Sequence, residues 1–436
     1  MTATLLDLVD VRAFAGDLNQ ALPAPVDAPG PVDAVREIIA AVRSRGDAAL
    51  RDLTAEFDGV TVEELRVPAD RLDAAWRDSS PELRSALQHA AHAVRAYHEA
   101  QTVSTRTEAD AGAAAREMVV PVARAGCYVP GGRAVYPSTV LMTAIPARVA
   151  GVDEVVVCVP PGRDGDVPTP TLAAASLAGV DEVYRVGGAQ AIAALAYGTP
   201  SIRPVDVIVG PGNVYVALAK KEVAGRVGID ALAGPSEVVV VADDSAVPEQ
   251  VAADLLAQAE HGPGGVAVLV TWHEPLVAAV DAAIARRLAT APRASEIDAA
   301  LRGGGRAVLV TGPVAALEVV NVIAPEHLEL LAADADALVP GVRNAGAVFC
   351  GPWTPAVVGD YMAGVNHVLP TARTARFASA LRVDTFCKHI HVVRADEASL
   401  RQMAPDITAL ADAEGLTAHA RAVALRVGSP ARERAS

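Results

Sequence analysis

The chain has 436 residues, 52% of them hydrophobic and only 3% aromatic, and its 52 acidic and 37 basic side chains give a formal net charge of −15. This length predicts two or three globular domains, and the hydrophobic content excludes disorder over most of the chain. The negative charge, without a basic stripe, argues against a nucleic-acid partner. Charged or turn residues interrupt each apolar stretch before it reaches the roughly 18 residues of a membrane span, which predicts a soluble protein without a membrane partner.

The N-terminus and the cysteines bear on localisation. Asp7 and Asp10 stand where a secretory signal needs positive charge followed by an unbroken apolar run. The cysteines are widely spaced and form no C-x-x-C pair. They are Cys127, Cys158, Cys350 and Cys387. Both features predict a cytoplasmic protein with reduced thiols.

The first hundred or so residues predict mainly helices. Apolar residues between Val32 and Val42 recur on one helical face, and Ser80-Pro-Glu82 provides the cap and first-turn proline that open a long helix. We predict an N-terminal helical segment at residues 1–24. Residues 25–110 then form a helical part that packs with the second α/β domain.

Short apolar runs alternate with alanine-rich helical segments, such as Thr169–Ala178 and Pro248–Glu260, over the middle of the chain. Eight of these runs predict buried parallel strands. They are Gly126–Val129, Glu154–Val159, Glu182–Val186, Val205–Val209, Val238–Val241, Val266–Val270, Ala307–Val310 and Ala347–Cys350. The alternation predicts an α/β fold with two wound, Rossmann-like domains and parallel-rich sheets, at residues 111–234 and 235–375. Their boundary lies near Gly228–Gly234.

One segment of the first α/β domain is repeated. Ala150-Gly-Val-Asp-Glu-Val155 recurs 28 residues later as Ala178-Gly-Val-Asp-Glu-Val183. Each copy ends a helix at glycine and starts a strand, which predicts a duplicated helix–strand unit. After about residue 373 the strand pattern fades, and Ser399–Val427 predicts one or two amphipathic helices in a C-terminal tail at residues 376–436.

Glycine-rich turns follow three predicted strands of the first α/β domain. They are Tyr128-Val-Pro-Gly-Gly-Arg133, Gly187-Gly-Ala-Gln190 and Gly210-Pro-Gly-Asn-Val-Tyr215. Bare backbone before a helix N-terminus can accept phosphate. The third turn lacks the last glycine of G-x-G-x-x-G, because Tyr215 stands there, and alone it fits a plain strand-to-helix turn equally well. Together the three turns favour a dinucleotide site.

Several histidines stand near other polar residues in the second α/β domain. Gln258 and His261 share a face at the end of a predicted helix, which suits either a metal or an ordinary polar helix end. Glu326-His327, at a predicted helix start, suits acid/base work, although such a pair also occurs on ordinary surfaces.

Further candidates follow towards the C-terminus. Asp360 and His367 lie in a glycine-flanked predicted loop, where polar residues often bind ligands. Glu414 and His419 alone fit a solvated helix face. The alternating residues Cys387, His389 and His391 would share one side of a strand, which suits either a metal cluster or a half-exposed strand.

Several motifs, in order, resemble the histidinol dehydrogenase family essentially from end to end. The most specific stretch runs from Ile229-Asp-Ala-Leu-Ala-Gly-Pro-Ser-Glu-Val238 to Ala253-Asp-Leu-Leu-Ala-Gln-Ala-Glu-His-Gly262. Further matches are Tyr128-Val-Pro-Gly-Gly, Gly210-Pro-Gly-Asn, Ala324-Pro-Glu-His-Leu328, Gly359-Asp-Tyr and Glu414-Gly-Leu-Thr-Ala-His419. The resemblance implies a homodimeric zinc enzyme of the last two steps of histidine biosynthesis. Such an enzyme oxidises L-histidinol to L-histidine through L-histidinal with two NAD molecules.

The resemblance also implies roles for individual residues. The zinc ligands would be Gln258, His261, Asp360 and His419, and the acid/base pair would be Glu326 and His327. The NAD contacts would be Tyr128, Gln190 and Asn213. The substrate contacts would be Ser236, Gln258, His261, His327, Asp360, His367, Glu414 and His419. The tail would cross to the partner and complete its active site. Glutamine is an uncommon zinc ligand, so its assignment depends on the resemblance alone.

The chemistry of the proposed pair agrees with this activity. Hydride removal from an alcohol needs a base for the hydroxyl proton, which His327 can supply. The aldehyde yields a second hydride only after water adds, which calls for a second base, Glu326. A zinc hydrolase, with Glu326 activating a metal-bound water, is the alternative enzyme class. A non-catalytic binding protein is a third reading, but the full set of acid/base, metal and cofactor positions argues against it.

Overall fold

The structure is a computed structural model that describes residues 4–22, 30–102, 107–110, 113–132, 134–232, 234–262 and 264–428. Arg133 of the first glycine-rich turn lies outside the described residues. So do the predicted boundary at residues 24 and 25, and Ala233 at the predicted boundary between the α/β domains.

The strands alternate with helices through most of the chain. The strands are β1 (Asp7–Asp10), β2 (Thr107–Asp110), β3 (Ala113–Pro121), β4 (Arg124–Tyr128), β5 (Glu154–Val159), β6 (Glu182–Arg185), β7 (Val207–Val209), β8 (Gly228–Ile229), β9 (Glu237–Ala242), β10 (Val266–Thr271), β11 (Gly305–Leu309), β12 (His327–Leu331), β13 (Ala347–Cys350) and β14 (Cys387–Ala395). The helices are α1 (Leu18–Ala21), α2 (Val32–Arg45), α3 (Asp47–Phe57), α4 (Ala69–Asp78), α5 (Pro81–Glu99), α6 (Pro137–Ala150), α7 (Thr169–Ala178), α8 (Gly188–Tyr197), α9 (Val214–Val223), α10 (Pro248–Ala259), α11 (Glu274–Leu288), α12 (Ala294–Gly304), α13 (Pro313–Ile323), α14 (Ala335–Leu338), α15 (Ala356–Tyr361), α16 (Glu397–Ala413) and α17 (Thr417–Val427).

The chain divides into two compact units. The first unit comprises residues 1–101 and 122–386, and the second comprises residues 102–121 and 387–436. The first unit contains both parallel sheets. All eight predicted strands are present in it, which confirms the α/β class and the two wound domains. No helix in the described ranges is long and apolar enough to cross a bilayer.

A five-stranded parallel sheet has the order β6-β5-β4-β7-β8. Alternate side chains of β5 enter different cores: Val155 and Val157 pack with α6 and α7, whereas Val156 and Cys158 pack with α8 and α9. This double burial explains the continuous apolar runs of its strands.

Helices from the first hundred residues complete both cores of this sheet. Helices α4 and α5 join the core of α6 and α7, and α2 and α3 join that of α8 and α9. The prediction that residues 25–110 pack with the second α/β domain is therefore wrong in the described part. A parallel sheet must be covered on both faces, and these amphipathic helices supply the outer cover that the short alanine-rich crossovers leave incomplete.

The repeated segment forms the two neighbouring units β5 and β6. Helices α6 and α7 end at Gly151 (φ 90°) and Gly179 (φ 71°), a left-handed conformation that favours glycine. The repeat also places a glutamate at the start of each strand. Both glutamates, Glu154 and Glu182, bind the buried guanidinium of Arg124 on β4. The duplication therefore supplies both acids of one ion-pair cluster.

A six-stranded parallel sheet has the order β1-β11-β10-β9-β12-β13. Helices α10, α11 and α12 cover one face, and α13 and α14 cover the other. Two strands differ from the sequence predictions. The segment at residues 1–24, predicted to be helical, contains the exposed edge strand β1, which pairs with β11. The polar residues of β1 interrupt the apolar run by which the other strands were recognised. Glu326-His327, predicted to start a helix, leads into the buried central strand β12.

The second unit contains an antiparallel sheet of order β14-β3-β2, together with α16 and α17. Cys387, His389 and His391 lie on β14, so the predicted strand is confirmed. His389 Nδ1 lies 3.0 Å from Glu117 Oε1 on β3. The predicted tail helices are also confirmed as α16 and α17. None of the four cysteines forms a disulfide in the described part of the chain, which agrees with the prediction of reduced thiols.

Candidate active site

The predicted acid/base pair is fixed to the backbone of β9. His327 begins β12, which runs parallel to β9 with His327 opposite Val238. The Glu326 carboxylate accepts the backbone N–H of Glu237 at 2.9 Å, and the Glu237 carboxylate accepts the backbone N–H of Glu326 at 3.3 Å. His327 Nδ1 lies 3.1 Å from the Glu237 carbonyl oxygen. Because a carbonyl can only accept, Nδ1 carries the proton, and neutral His327 has its lone pair on Nε2.

The other ring nitrogen of His327 faces an acidic group. Nε2 is buried and has no hydrogen-bond partner among the described residues, and it lies 3.8 Å from Asp360 Oδ1. The ring stacks on Phe349 with a centroid distance of 6.0 Å. His327 is 8% exposed. Its Nε2 is therefore an oriented and unused base position.

Burial and neighbouring charges shift the pKa values of this cluster. Burial raises the pKa of Glu326 to about 7 and that of Glu237 to about 7. Burial lowers the pKa of His327, but the carboxylates of Glu326 and Asp360 outweigh it and raise that pKa to about 9. The cluster can therefore bind and release protons near neutral and mildly alkaline pH.

Asp360 and His367 approach the pair from the segment after β13. His367 lies in a loop as predicted, but Asp360 lies in the short helix α15, so the loop prediction is wrong at this residue. Gly359 permits this helix, because an added Cβ would lie 2.5 Å from the Phe349 ring. His367 Nδ1 lies 4.0 Å from Asp360 Oδ1, and its Nε2 lies 3.0 Å from Thr139 Oγ1. Burial raises the pKa of Asp360, but the facing His327 lowers it more.

Gln258 and His261 lie at the end of α10, as predicted. Gln258 is 7% exposed and its Nε2 has no hydrogen-bond partner in the described part of the chain. His261 Nδ1 lies 3.2 Å from the Gln258 carbonyl, which leaves Nε2 as the lone-pair nitrogen of the neutral ring. Both residues line a cavity of about 430 Å³. The other predicted site residues that line it are Ser236, Glu326, His327, Asp360 and His367.

The donor set around this cavity fits an open metal site. Gln258, His261 and Asp360 supply an amide, an imidazole and a carboxylate. Nitrogen and oxygen donors suit zinc, although an amide is an uncommon ligand. No group of three or more His, Cys, Asp or Glu side chains in the described ranges is arranged to enclose an ion. Within the described residues, these three side chains could form only part of a metal shell.

The predicted dinucleotide contacts gather at the carboxyl edge of the five-stranded sheet. Tyr128 ends β4, Gln190 lies in the first turn of α8, and Asn213 caps α9 by accepting the N–H of Tyr215 at 3.0 Å. The Tyr128 hydroxyl accepts the N–H of Gly188 at 3.1 Å. This edge is where wound α/β sheets bind nucleotides.

The glycine-rich turns also reach the acid/base pair. Pro130, from the first turn, and Pro211 and Gly212, from the third, line the same cavity as His327. Gly210 has φ +115°, and an added Cβ would lie 2.1 Å from the Tyr128 carbonyl oxygen. Only glycine lets this turn approach β4 so closely. The cavity thus joins the turns of one sheet to the polar cluster of the other.

Comparison with known proteins agrees with this geometry. The family model described as histidinol dehydrogenase matches residues 26–427. Histidinol dehydrogenase of Parasynechococcus marenigrum is 50% identical over 402 residues, which cover 92% of this chain and 91% of the relative. That of Synechococcus sp. is 52% identical over 395 residues, which cover 90% and 91%. The chain belongs to the histidinol dehydrogenase family. It is therefore an oxidoreductase.

A solved structure shows the same fold. The crystal structure of histidinol dehydrogenase from Elizabethkingia anophelis matches with a TM-score of 0.93 at 34% identity, covering 98% of this chain and 99% of that one. This match confirms the predicted α/β architecture across nearly the whole chain.

Two further carboxyls line the cavity of this histidinol dehydrogenase family member, and sequence reasoning missed both. Asp254 lies on α10 and Glu329 on β12, two residues after His327 and on the same face of the strand. The Glu329 carboxylate accepts the N–H of Ala356, at the start of α15, at 2.6 Å. Burial and the facing Asp254 raise the pKa of Glu329 to about 8. The available signal was an acid inside the apolar run His327–Leu331.

A buried ion pair that the sequence analysis also missed supports the third glycine-rich turn. Lys220 Nζ donates to the carbonyl oxygens of Gly210 at 3.1 Å and Ala231 at 2.9 Å, and it pairs with Asp230. Asp230 in turn accepts the N–H of Gly210 at 2.7 Å. Lysine is almost never fully buried unless it is paired. Here the ion pair holds the backbone of the third glycine-rich turn in place at Gly210.

Glu414 and His419 belong to the second unit. Glu414 directly follows α16, and His419 lies in the first turn of α17. Both side chains are exposed in the single chain.

Proposed function

We propose that this chain oxidises L-histidinol to L-histidine through L-histidinal, using NAD and zinc, as the last two steps of histidine biosynthesis in the cytoplasm. The observation that carries the proposal is the buried pair Glu326 and His327, held on the β9 backbone with the unused Nε2 of His327 facing Asp360. The relatives named histidinol dehydrogenase support the choice of substrate.

In the first oxidation, His327 Nε2 accepts the hydroxyl proton of the alcohol. The carbon that bears the hydroxyl loses a hydride at the same time, and the product is the aldehyde. His327 Nδ1 donates its proton to the Glu237 carbonyl oxygen, which lies 3.1 Å away. Nε2 therefore faces the substrate in both oxidations. The carboxylates of Glu326 and Asp360 stabilise the imidazolium that results.

In the second oxidation, Glu326 accepts a proton from the water that adds to the aldehyde. Its pKa of about 7, raised by burial, gives a substantial carboxylate fraction near neutral pH. The imidazolium of His327 gives its proton to the carbonyl oxygen as the hydrate forms, and the neutral ring then accepts a hydroxyl proton of the hydrate as its carbon loses the second hydride. Keeping both oxidations in one cavity shields the reactive aldehyde from solvent.

The bound groups complete the chemistry. NAD supplies the hydride acceptor, and zinc supplies a Lewis acid that binds the substrate. Tyr128, Gln190 and Asn213 would contact the dinucleotide. Gln258, His261 and Asp360 would hold the metal together with His419 of the partner subunit in a homodimer. Ser236, His367 and Glu414 would contact the substrate.

An absorbance assay of NADH formation tests this function. Purified protein should reduce NAD with either L-histidinol or L-histidinal as substrate. Chelation should abolish both activities, and added zinc should restore them. Full activity in protein shown by elemental analysis to be metal-free would contradict the role of zinc. Hydrolase activity without NADH formation would favour the alternative enzyme class.

A further inference from the structure

Asp58 presents a buried carboxylate oxygen without a partner. Its Oδ2 is buried and accepts no hydrogen bond from any described residue. Burial raises its pKa to about 6. The residue also follows the last residue of α3, where the negative end of the helix dipole opposes a carboxylate. No hydrogen bond from the described residues compensates for the burial of this oxygen. The carboxylate is therefore suited to accept hydrogen bonds from a bound ligand.

Packing of α3 against α8 places Asp58 near the predicted dinucleotide edge. Asp47, at the start of α3, accepts the hydroxyl of Ser201, just beyond the end of α8, at 2.6 Å. Leu50 and Leu53 of α3 also share a core with α8 residues. Because the start of α3 meets the segment after the end of α8, the two packed helices run antiparallel. The end of α3 therefore lies towards Gly188, where α8 begins. Burial raises the pKa of Tyr128, whose hydroxyl accepts the Gly188 N–H, and the charge of Asp58 adds to this rise.

Two side chains here, Asp58 and Gln190, offer hydrogen-bond acceptors without partners among the described residues. Gln190 is 1% exposed, and its Oε1 also has no hydrogen-bond partner among the described residues. The start of α8 has no side-chain cap, so its backbone N–H donors suit the dinucleotide phosphates and not the ribose. A phosphate has only acceptor oxygens and would face the Asp58 carboxylate unfavourably. A ribose diol offers two hydroxyl donors, which match a carboxylate.

We propose that Asp58 accepts hydrogen bonds from the adenosine ribose hydroxyls of the dinucleotide and so selects NAD over NADP. A 2′-phosphate would replace one donor with a negative group beside the buried carboxylate, so discrimination combines a lost hydrogen bond with charge repulsion. This inference rests on the proposed use of NAD.

Binding of NADH and NADPH, measured by nucleotide fluorescence, tests the proposal in the full-length protein. The wild type should bind NADH more tightly than NADPH. Asp58→Asn should weaken NADH binding about tenfold, the cost of a lost charged hydrogen bond, and should bind NADPH at least as well as the wild type. Glu56→Gln removes one negative charge from the exposed face of the same helix and should leave both affinities unchanged.

Thermal unfolding without nucleotide separates ligand binding from a structural role. At pH 8, Asp58→Asn should unfold at the same or a higher temperature than the wild type, because it removes a half-buried charge whose Oδ2 has no partner among the described residues. A loss of stability, or an unchanged preference for NADH in the variant, would overturn the role of Asp58 but not the proposed use of NAD. Failure of the wild type to bind NADH would overturn the proposed cofactor as well.

Discussion

The two residues proposed as bases serve different steps, so single substitutions separate them. Only the second oxidation consumes water. Glu326→Gln keeps the shape but removes the base, and should slow histidinal oxidation about 100-fold or more, the usual effect of losing a general base. His327→Ala should slow both oxidations to a similar extent. Steady-state rates with each substrate measure this, and a wild-type rate of histidinal oxidation in Glu326→Gln would exclude the role of Glu326.

The protonation of His327 depends on its carboxylate neighbours. Burial lowers its pKa, but Glu326 and Asp360 raise it to about 9, so in the metal-free protein the ring should stay charged at pH 7 and lose its proton as the pH passes 9. Glu326→Gln removes one of these anions and should lower the pKa of His327. NMR titration of histidine-labelled, chelator-treated protein measures both. An unshifted titration in Glu326→Gln would contradict the electrostatic coupling.

At the residue scale, the sequence predicted which residues line the cavity better than it predicted the contacts that hold them in position. Gln258, His261, Glu326 and His327 could be named from composition, spacing and resemblance, and the cavity brings them together. The contacts of Glu237 with the backbone could not be predicted from the sequence, because they depend on the register of β9 and β12. Asp254 and Glu329 were missed for the same reason, since their two carboxyls meet only after α10 covers the sheet.

At the element scale, recognition of a strand depended on where it lies in its sheet. Runs such as Val238–Val241 are buried on both faces, so their continuous apolar sequence predicts a strand directly. In β12, two polar residues face the cavity and break the apolar run, which then resembles a helix start. Strand β3 begins with three alanines, a helix-favouring composition that its pairing with β14 overrides. Burial and pairing therefore decided these elements against local propensity.

The cluster around Arg124 predicts a large loss of stability on substitution. Arg124 is 7% exposed and binds Glu154 and Glu182, so it joins β4 to both repeated units. Arg124→Met would leave the 12% exposed Glu182 with the exposed Arg66, at 3.4 Å, in place of its buried cation. We expect the free energy of unfolding to fall by about 3 kcal/mol. Urea denaturation measures this.

Arg203 provides a matched control for this cluster. It also binds Glu154, but it is 63% exposed. Arg203→Met should lower the free energy of unfolding by at most about 1 kcal/mol, since water screens an exposed ion pair. Equal losses in the Arg124→Met and Arg203→Met variants would contradict the importance of burial.

At the scale of the whole molecule, the proposed dimer can be tested by complementation. If Asp360 from one subunit and the partner subunit's His419 form each site, Asp360→Ala and His419→Ala chains should be inactive alone. In a mixed dimer, one site carries both lesions and the other carries neither. Random assembly should therefore restore up to about a quarter of wild-type activity. No activity in verified mixed dimers would refute the shared site.

The overall architecture was the easiest feature to predict. Parallel sheets buried on both faces leave long apolar runs, and their crossovers leave alanine-rich helices, so the alternation alone indicated an α/β fold. The cover of the five-stranded sheet was harder to assign. Amphipathic helices such as α2 and α5 show which face is buried, but their periodicity does not identify the sheet that they cover.

The number of NADH molecules formed per histidinol consumed tests the proposed function most directly. A single cavity that performs both oxidations should form two NADH per histidinol, with L-histidine as the product. Absorbance and chromatographic analysis of the same reaction give both quantities. One NADH per histidinol with accumulating histidinal, or consumption of histidinol without NADH, would contradict the account.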